Sequence, residues 1–404
     1  MRQIFFLFLL STYVYALDGV LYDANSSKTI AGATISDSKH SVKSDQNGSF
    51  SIETDEEKLF VKAYGYRPYT FATDQNISKI TLIPIHVKAL YLTFWGASNN
   101  SPRLKKILHI IENSSINAVV VDMKNEYGST VFWTGFKQAN DYGAYLKRTN
   151  RDIDKFMTRL KAKGIYTIAR IVAFKDELQA VNNYDYAIKK NDANKTIWRN
   201  HDGMAWVDPY DPRSHQYTIK MAEEAAKVGF DEINFDYVRF PARRGLALSQ
   251  ENTQQNRIKA IGDFLDQAQN SLRKYGVFVS VDIYGNVCWA QDDNGIGQTI
   301  ESLAQHADYV CPMLYPSGFA SGSFHKKHPA KHPYIVIFRS LKHIHDKIDP
   351  KRLRPWLQYF KDYTSSNVEY GKEEIRQQIK GAEDANASGW MLWSPSSRYD
   401  LNTF

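Results

Sequence analysis

The chain has 404 residues, of which 43% are hydrophobic and 24% charged, an ordinary globular composition that excludes a disordered or low-complexity protein. Its net charge of +7 is spread over isolated pairs such as Arg243-Arg244, Lys326-Lys327 and Lys351-Arg352. These lack the dense basic run that holds a phosphate backbone, so no nucleic-acid partner is expected.

Residues 1–16 read as an export leader. Arg2 supplies the positive start, residues 4–10 an apolar run, and Val14-Tyr15-Ala16 a small-residue cleavage site. That run is too short to span a bilayer, and no later segment has the ~20 apolar residues a membrane helix needs. A mature chain starting near Leu17 is therefore expected in the periplasm or outside the cell, without stable membrane insertion. Cys288 and Cys311 are the only cysteines. An oxidising compartment permits a disulfide, but no spacing signature argues for one, and two unpaired, partly buried thiols are expected.

From residue 17 to 84 short alternating segments at 19–23, 33–35, 49–52, 59–63 and 80–83 are separated by turns, the pattern of a small β-sandwich. Asp45-Gln46-Asn47-Gly48 is a turn in which Gly48 can take a positive φ. Together with Ile30-Ala31-Gly32-Ala33 and Ala63-Tyr64-Gly65-Tyr66, these residues resemble the carboxypeptidase regulatory-like domain, a prealbumin-like sandwich found on exported proteins. The resemblance implies a structural or adhesive accessory.

After residue 84 the periodicity changes. Apolar runs at 88–94, 117–123, 165–172, 230–238, 277–283, 307–314, 354–360 and 389–393 alternate with helix-like stretches at 101–112, 152–163, 216–228, 256–275, 299–305 and 373–387. Strands alternating with helices make a parallel sheet, and eight such units across residues 85–404 predict a (β/α)8 TIM barrel. A doubly wound open sheet is the rival. It concentrates polar residues at one switch point, whereas here they fall at the ends of most strands.

The fourth run is the most unusual. Side chains alternate across a strand, so Glu232, Asn234 and Asp236 share one face and Ile233, Phe235 and Tyr237 the other. Buried charge is tolerated only when paired or solvated at a site. In a barrel the chemistry sits at the C-terminal strand ends, which gather Trp95, Asp122, Lys124, Arg170, Asp236, Arg239, Asp282, Tyr284, Met313, Tyr315, Gln358 and Trp393.

Asp236 and Asp282, on adjacent strands, are the best pair for two-carboxylate glycoside hydrolysis. Strands lie about 4.8 Å apart, near the roughly 5–5.5 Å separation of a retaining enzyme. Asp122, two strands from Asp236, can replace either acid across the wider gap that suits inversion. Spacing leaves open which acid is nucleophile. Arg170, Arg239, Lys124, Tyr315 and Gln358 are expected to bind substrate, with Trp206, Trp289 and Trp393 stacking on sugar rings. Structural alternatives stand beside these roles: Asp122 and Asp176 as helix caps, and Glu232 as a buried ion-pair partner of Arg170. His325, His328 and His332 share one loop without the spacing of a zinc hydrolase, and there is no nucleophile elbow, Walker loop or dinucleotide fingerprint, so neither a metal nor a cofactor is implied.

The stretches Val121-Asp122-Met123-Lys124, Ala169-Arg170-Ile171-Val172-Ala173-Phe174-Lys175-Asp176, Trp206-Val207-Asp208-Pro209-Tyr210, the run 229–241, Pro312-Met313-Leu314-Tyr315-Pro316-Ser317, Pro355-Trp356-Leu357-Gln358 and Trp390-Met391-Leu392-Trp393 occur in order over residues 88–399. They resemble the glycosyl hydrolase domain family of unknown function, a barrel of the glycosidase superfamily. The resemblance implies a bacterial, exported (β/α)8 protein of the glycosidase kind, but transfers no catalytic residues; with the polar convergence at the strand ends, a secreted glycoside hydrolase acting on a cell-envelope or extracellular polysaccharide is expected. The competing classes are a non-catalytic carbohydrate-binding or envelope-scaffold protein and a carbohydrate esterase. The sequence leaves the oligomeric state unspecified.

Overall fold

A computed structural model describes residues 15–75 and 77–404 and divides the chain into two compact units, 15–84 with 273–276, and 85–272 with 277–404. Apart from Tyr15 and Ala16, which lie in a strand, the leader read at residues 1–16 falls outside the described residues. Among the described residues no helix is long and apolar enough to cross a membrane.

The N-terminal unit consists of two sheets around one apolar core. One sheet places Tyr15–Asp23 between Ser49–Thr54 and Lys79–Leu82; the other runs Ser41–Lys43, Thr34–Ser36, Lys58–Lys62, Tyr69–Ala72. Leu21, Ile35, Ile52, Leu59 and Val61 fill the space between. The 45–48 turn closes with Gly48 N–H donating to the Asp45 carbonyl at 3.0 Å, and Gly48 has φ +76°, a conformation that costs a side chain with a Cβ. The sheet also recruits Ser41–Lys43 and Tyr69–Ala72, segments too short and polar to register as strands by alternation alone.

The second unit is a closed parallel barrel of eight strands: β1 (Val87–Leu92), β2 (Ala118–Lys124), β3 (Tyr166–Val172), β4 (Glu232–Asp236), β5 (Phe278–Tyr284), β6 (Tyr309–Met313), β7 (Trp356–Gln358) and β8 (Gly389–Trp393), each paired to the next and β8 to β1. Among the described residues, seven longer helices connect successive strands, α1 (Pro102–Glu112), α2 (Ile153–Lys161), α3 (Pro212–Lys227), α4 (Gln254–Leu272), α5 (Ile300–His306), α6 (Pro333–Lys342) and α7 (Lys372–Asp384), and two short ones, Lys137–Asp141 and Glu177–Asn182, follow β2 and β3. Local chemistry starts several of them. Ser101, Asp152, Asp211 and Thr299 accept hydrogen bonds from first-turn amides, and Pro102 and Pro212 sit where a missing N–H costs nothing.

The sequence reading does not anticipate α6. Its Ile335-Val336-Ile337 run disfavours a helix locally, and packing against α7 decides the outcome.

Alternate residues of the strands point inward, up to a bulge near the end of β2. Ala89, Tyr91, Val120, Tyr166, Ile168, Phe278, Tyr309, Cys311, Trp356 and Met391 form one interior cluster. Cys288 and Cys311 are unpaired and fully buried. The polar exception low in the barrel is Glu232, fully buried, whose carboxylate takes Nη1 of Arg354 and the Tyr166 hydroxyl at 2.9 Å. The expected partner was Arg170. Glu232 starts β4 whereas Arg170 pairs with Asn234 further up, so the two occupy different levels of the barrel.

Removing one member of a buried pair leaves the other charged and unsolvated. Glu232→Ala is expected to lower the unfolding free energy by about 3–5 kcal/mol, measured by urea denaturation; a loss within 1 kcal/mol would show that the Arg354 pair is not needed to close the barrel floor.

Candidate active site

At the C-terminal ends of the strands lies a cavity of about 180 Å³ lined by Glu126, Arg170, Asp236, Tyr237, Arg239, Asp282, Tyr284, Met313, Tyr315, Trp356 and Trp393. It brings together residues from strands β3, β4, β5, β6, β7 and β8 and from the loops that follow β2, β4 and β6.

Arg170 is the centre of the charge arrangement. It is 2% exposed, donating Nε and Nη2 to Asp236 Oδ2 at 3.1 and 2.6 Å, Nη1 to Asp122 Oδ1, and Nη2 to Glu126 Oε1 at 3.2 Å. Burial alone would lower its affinity for a proton, but Asp236, Asp122 and Glu126 outweigh it and hold the guanidinium firmly charged. Its other face lies 5.1 Å from the centre of the Trp393 ring, which stacks on Tyr91 at 4.0 Å.

Asp236 is fixed at both oxygens, since Oδ1 also accepts the Tyr237 amide at 2.6 Å. That amide is presented by an uncommon backbone: Tyr237 has φ +53°, rare for a bulky residue and held here by its surroundings. The strand therefore ends in a sharp turn exactly where its last carboxylate meets the cavity.

Asp282 is treated oppositely. It is 2% exposed and has no cation within ion-pair distance among the described residues; Oδ1 accepts from Asn234 Nδ2 at 2.8 Å and Trp356 Nε1 at 2.7 Å. Burial, with the neighbouring Asp236 charge adding to it, pushes its carboxyl well above the ordinary range. Burial also raises the Tyr315 phenol. Asp122 is raised by burial against the pull of Arg170, whereas for Glu126 burial is the largest effect but is outweighed by Arg170, its own backbone amide and Lys175 acting together, and the net shift is downward.

The sequence-predicted residues divide into two groups. Asp236, Asp282, Arg170, Arg239, Tyr315 and Trp393 line the cavity. Asp122 lies behind Arg170 as its buried partner, 4% exposed, and does not cap a helix; Asp176 does, accepting the Gln179 amide at 2.9 Å.

Lys124 is a correction. β2 carries a bulge after Asp122: Asp122 pairs with Arg170 but Lys124 with Ile171, so the extra residue turns Lys124 to the opposite face. There it is fully buried between Asp176 at 2.7 Å and the Val172 carbonyl at 2.6 Å. Gln358 is another. Its amide is spent on Ser317 Oγ at 2.7 Å, the Phe360 carbonyl at 3.0 Å and the Ser317 amide at 3.1 Å, tying the end of β7 to the loop after β6.

Two of the three tryptophans are also elsewhere. Trp206 is 2% exposed, its ring lying under the Arg239 guanidinium at 4.9 Å, and lines an adjoining chamber and not the acid cavity. Trp289 is partly exposed but stacks on His343 at 4.2 Å and donates Nε1 to Ser340, away from the cavity. Glu126 and Tyr237 were missed. Glu126 lies in a loop beyond the strand end, and its only sequence signal is an acid two residues past Lys124.

A raised carboxyl carries a definite sign in stability. Between the ordinary aspartate pKa of about 3.9 and its folded value, Asp282 keeps a proton that the unfolded chain has lost, so stability falls as pH rises through that window. Asp282→Asn removes this dependence while keeping an acceptor for Asn234 and Trp356. Relative to that variant, the wild type is expected to lose up to about 1.4 kcal/mol per pH unit above pH 4, followed by denaturant unfolding at each pH. A constant difference would mean that Asp282 is ionised in the folded protein.

The sequence model of a family described as "Putative glycosyl hydrolase domain" matches residues 89–399. No curated protein matches the chain in sequence. Among solved structures, the chain is similar to a hypothetical protein from Ruminiclostridium thermocellum, at 31% identity over 48% of this chain and 96% of that one, with a TM-score of 0.41. It is similar in fold to the PgaB (BpsB) glycoside hydrolase domain from Bordetella bronchiseptica, at 13% identity over 78% and 95% of the two chains, with a TM-score of 0.58. The spore cortex-lytic enzyme SleL from Bacillus megaterium aligns at 12% identity over 82% and 77%, with a TM-score of 0.47.

Proposed function

The chain belongs to that glycosyl hydrolase domain family, and from this premise we propose that the cavity hydrolyses a glycosidic bond in a cell-envelope or extracellular polysaccharide, with Asp282 as general acid and Asp236 as its carboxylate partner. The observation that carries this reading is the opposite environment of two carboxyl groups lining one cavity: Asp236 is in an ion pair with Arg170, and Asp282 is buried without a cation and raised. Two carboxyls whose environments divide them into an acid and an anion are what the reaction requires.

In the proposed reaction Asp282 gives its proton to the glycosidic oxygen as the bond from that oxygen to the anomeric carbon breaks. Asp236, oriented by Arg170 and the Tyr237 amide, stabilises the positive charge that grows on that carbon. It then either bonds the carbon directly, to be displaced by water, or takes the proton of an attacking water. The anomer released first, read by proton NMR, separates the two. Trp393 and Tyr315 supply apolar and polar contact to the ring. Residues 1–16 are read as the leader that exports the protein and the N-terminal unit as a carboxypeptidase regulatory-like accessory.

Incubating the purified protein with bacterial exopolysaccharides and peptidoglycan should release new reducing ends. Asp236→Asn and Asp282→Asn are each expected to lower kcat by at least about 10²-fold with the fold intact by circular dichroism. Full activity in Asp236→Asn would sink the assignment, and no reducing ends from any polymer would favour a binding or scaffold protein.

Activity should also fall on the alkaline side as Asp282 loses its proton. That limb is expected to vanish from the residual activity of Asp282→Asn; an unchanged limb would assign the acid to another group.

A further inference from the structure

Five cations are buried among the described residues: Lys124, Arg170, Lys175, Arg239 and Arg354. Four have a carboxylate within ion-pair distance, Lys124 from Asp176, Arg170 from three acids, Lys175 from Asp202 and Arg354 from Glu232. Arg239, 7% exposed, has none. A buried charge ordinarily has a counter-charge.

The protein instead surrounds Arg239 with π faces. Its guanidinium lies 4.9 Å from the Trp206 ring centre, 5.1 Å from Tyr237 and 4.5 Å from Tyr284. Nη1 donates to the Phe240 carbonyl at 3.0 Å and Nη2 to the Tyr284 hydroxyl at 2.7 Å, and the other donors of the fork have no acceptor among the described residues. Rings hold a cation in place without neutralising it, so a preorganised fork is left for an anion from outside.

Its position indicates where that anion comes from. Arg239 and Tyr284 line both the acid cavity and an adjoining chamber of about 530 Å³, which is also lined by Arg243, by Arg199 paired with Glu177 and by His201 paired with Asp202. Beyond Tyr284, Met313 and Tyr315, a second chamber of about 300 Å³ opens on the other side. The acid cavity alone, at about 180 Å³, is smaller than the roughly 300–1,000 Å³ of ordinary ligand sites, so a chain passing through it must extend into its neighbours.

We propose that Arg239 is a specificity-determining residue that binds the carboxylate of an acidic sugar next to the bond being cleaved, so that the substrate is a carboxylated polysaccharide. A guanidinium fork matches a carboxylate with two parallel hydrogen bonds. This deepens the proposed function and rests on reading the cavity as a sugar site.

The test measures binding by titration calorimetry on the full-length wild-type chain, with glucuronic acid against glucose and N-acetylmuramic acid against N-acetylglucosamine. The acid of at least one pair is expected to bind at least ten-fold more tightly than its neutral partner, with an advantage that shrinks as sodium chloride is raised. Arg239→Gln should abolish the advantage, Arg239→Lys should keep a weaker, salt-sensitive remnant, and Arg243→Ala should leave most of it. Equal binding within both pairs, or an advantage that survives Arg239→Gln, overturns the proposal; so does its complete loss in Arg243→Ala. Because binding and not cleavage is measured, a protein that prefers the acids yet releases no reducing ends overturns the hydrolase reading alone.

Discussion

A guanidinium placed inside a protein must be neutralised where it stands, and Arg170 meets that requirement with carboxylates from three separate pieces of chain. Asp122 comes from β2, Glu126 from the loop after it and Asp236 from the end of β4. The clamp therefore joins three neighbouring strand ends of the barrel and sets the orientation of every acid around it. Asp236 is held at a fixed angle because Arg170 grips one oxygen and the Tyr237 amide the other. Without the clamp, those three acids would face one another in a poorly solvated space.

The same constraint explains the state of Asp282. Arg170 is consumed by its own partners, so the carboxyl on the next strand is left with neutral donors only, Asn234 and Trp356, in a buried position beside a charged neighbour. The cheapest response is to keep its proton. The division into an acid and an anion thus follows from how one cation is shared rather than from any difference between the two aspartates themselves.

A second buried pair, Glu232 with Arg354, performs the equivalent structural task lower in the barrel. Two levels of one interior thus hold buried ion pairs, and an apolar cluster fills the remaining space. Arg239 departs from this arrangement, enclosed by rings where the others have acids.

The alternation of strand and helix, the eightfold count and the polar strand ends were legible in the sequence because each depends on local periodicity: two for strands, about 3.6 for helices. The face shared by Glu232, Asn234 and Asp236 followed from the same rule, and these residues do point inward together. What periodicity cannot carry is the identity of partners across the barrel. Glu232 pairs with Arg354, 122 residues away, and not with Arg170. A single extra residue in β2 sends Lys124 to the outer face although it stands two places from the inward Asp122. Gln358 and Trp206 have chemistry suited to a sugar, but closure of the barrel spends them on its own loops and on Arg239. The sequence by itself determined the architecture and the inventory of acids and aromatics. Only the tertiary structure decided which of them face open space and which carry charge, because both depend on distances between strands that no local pattern encodes.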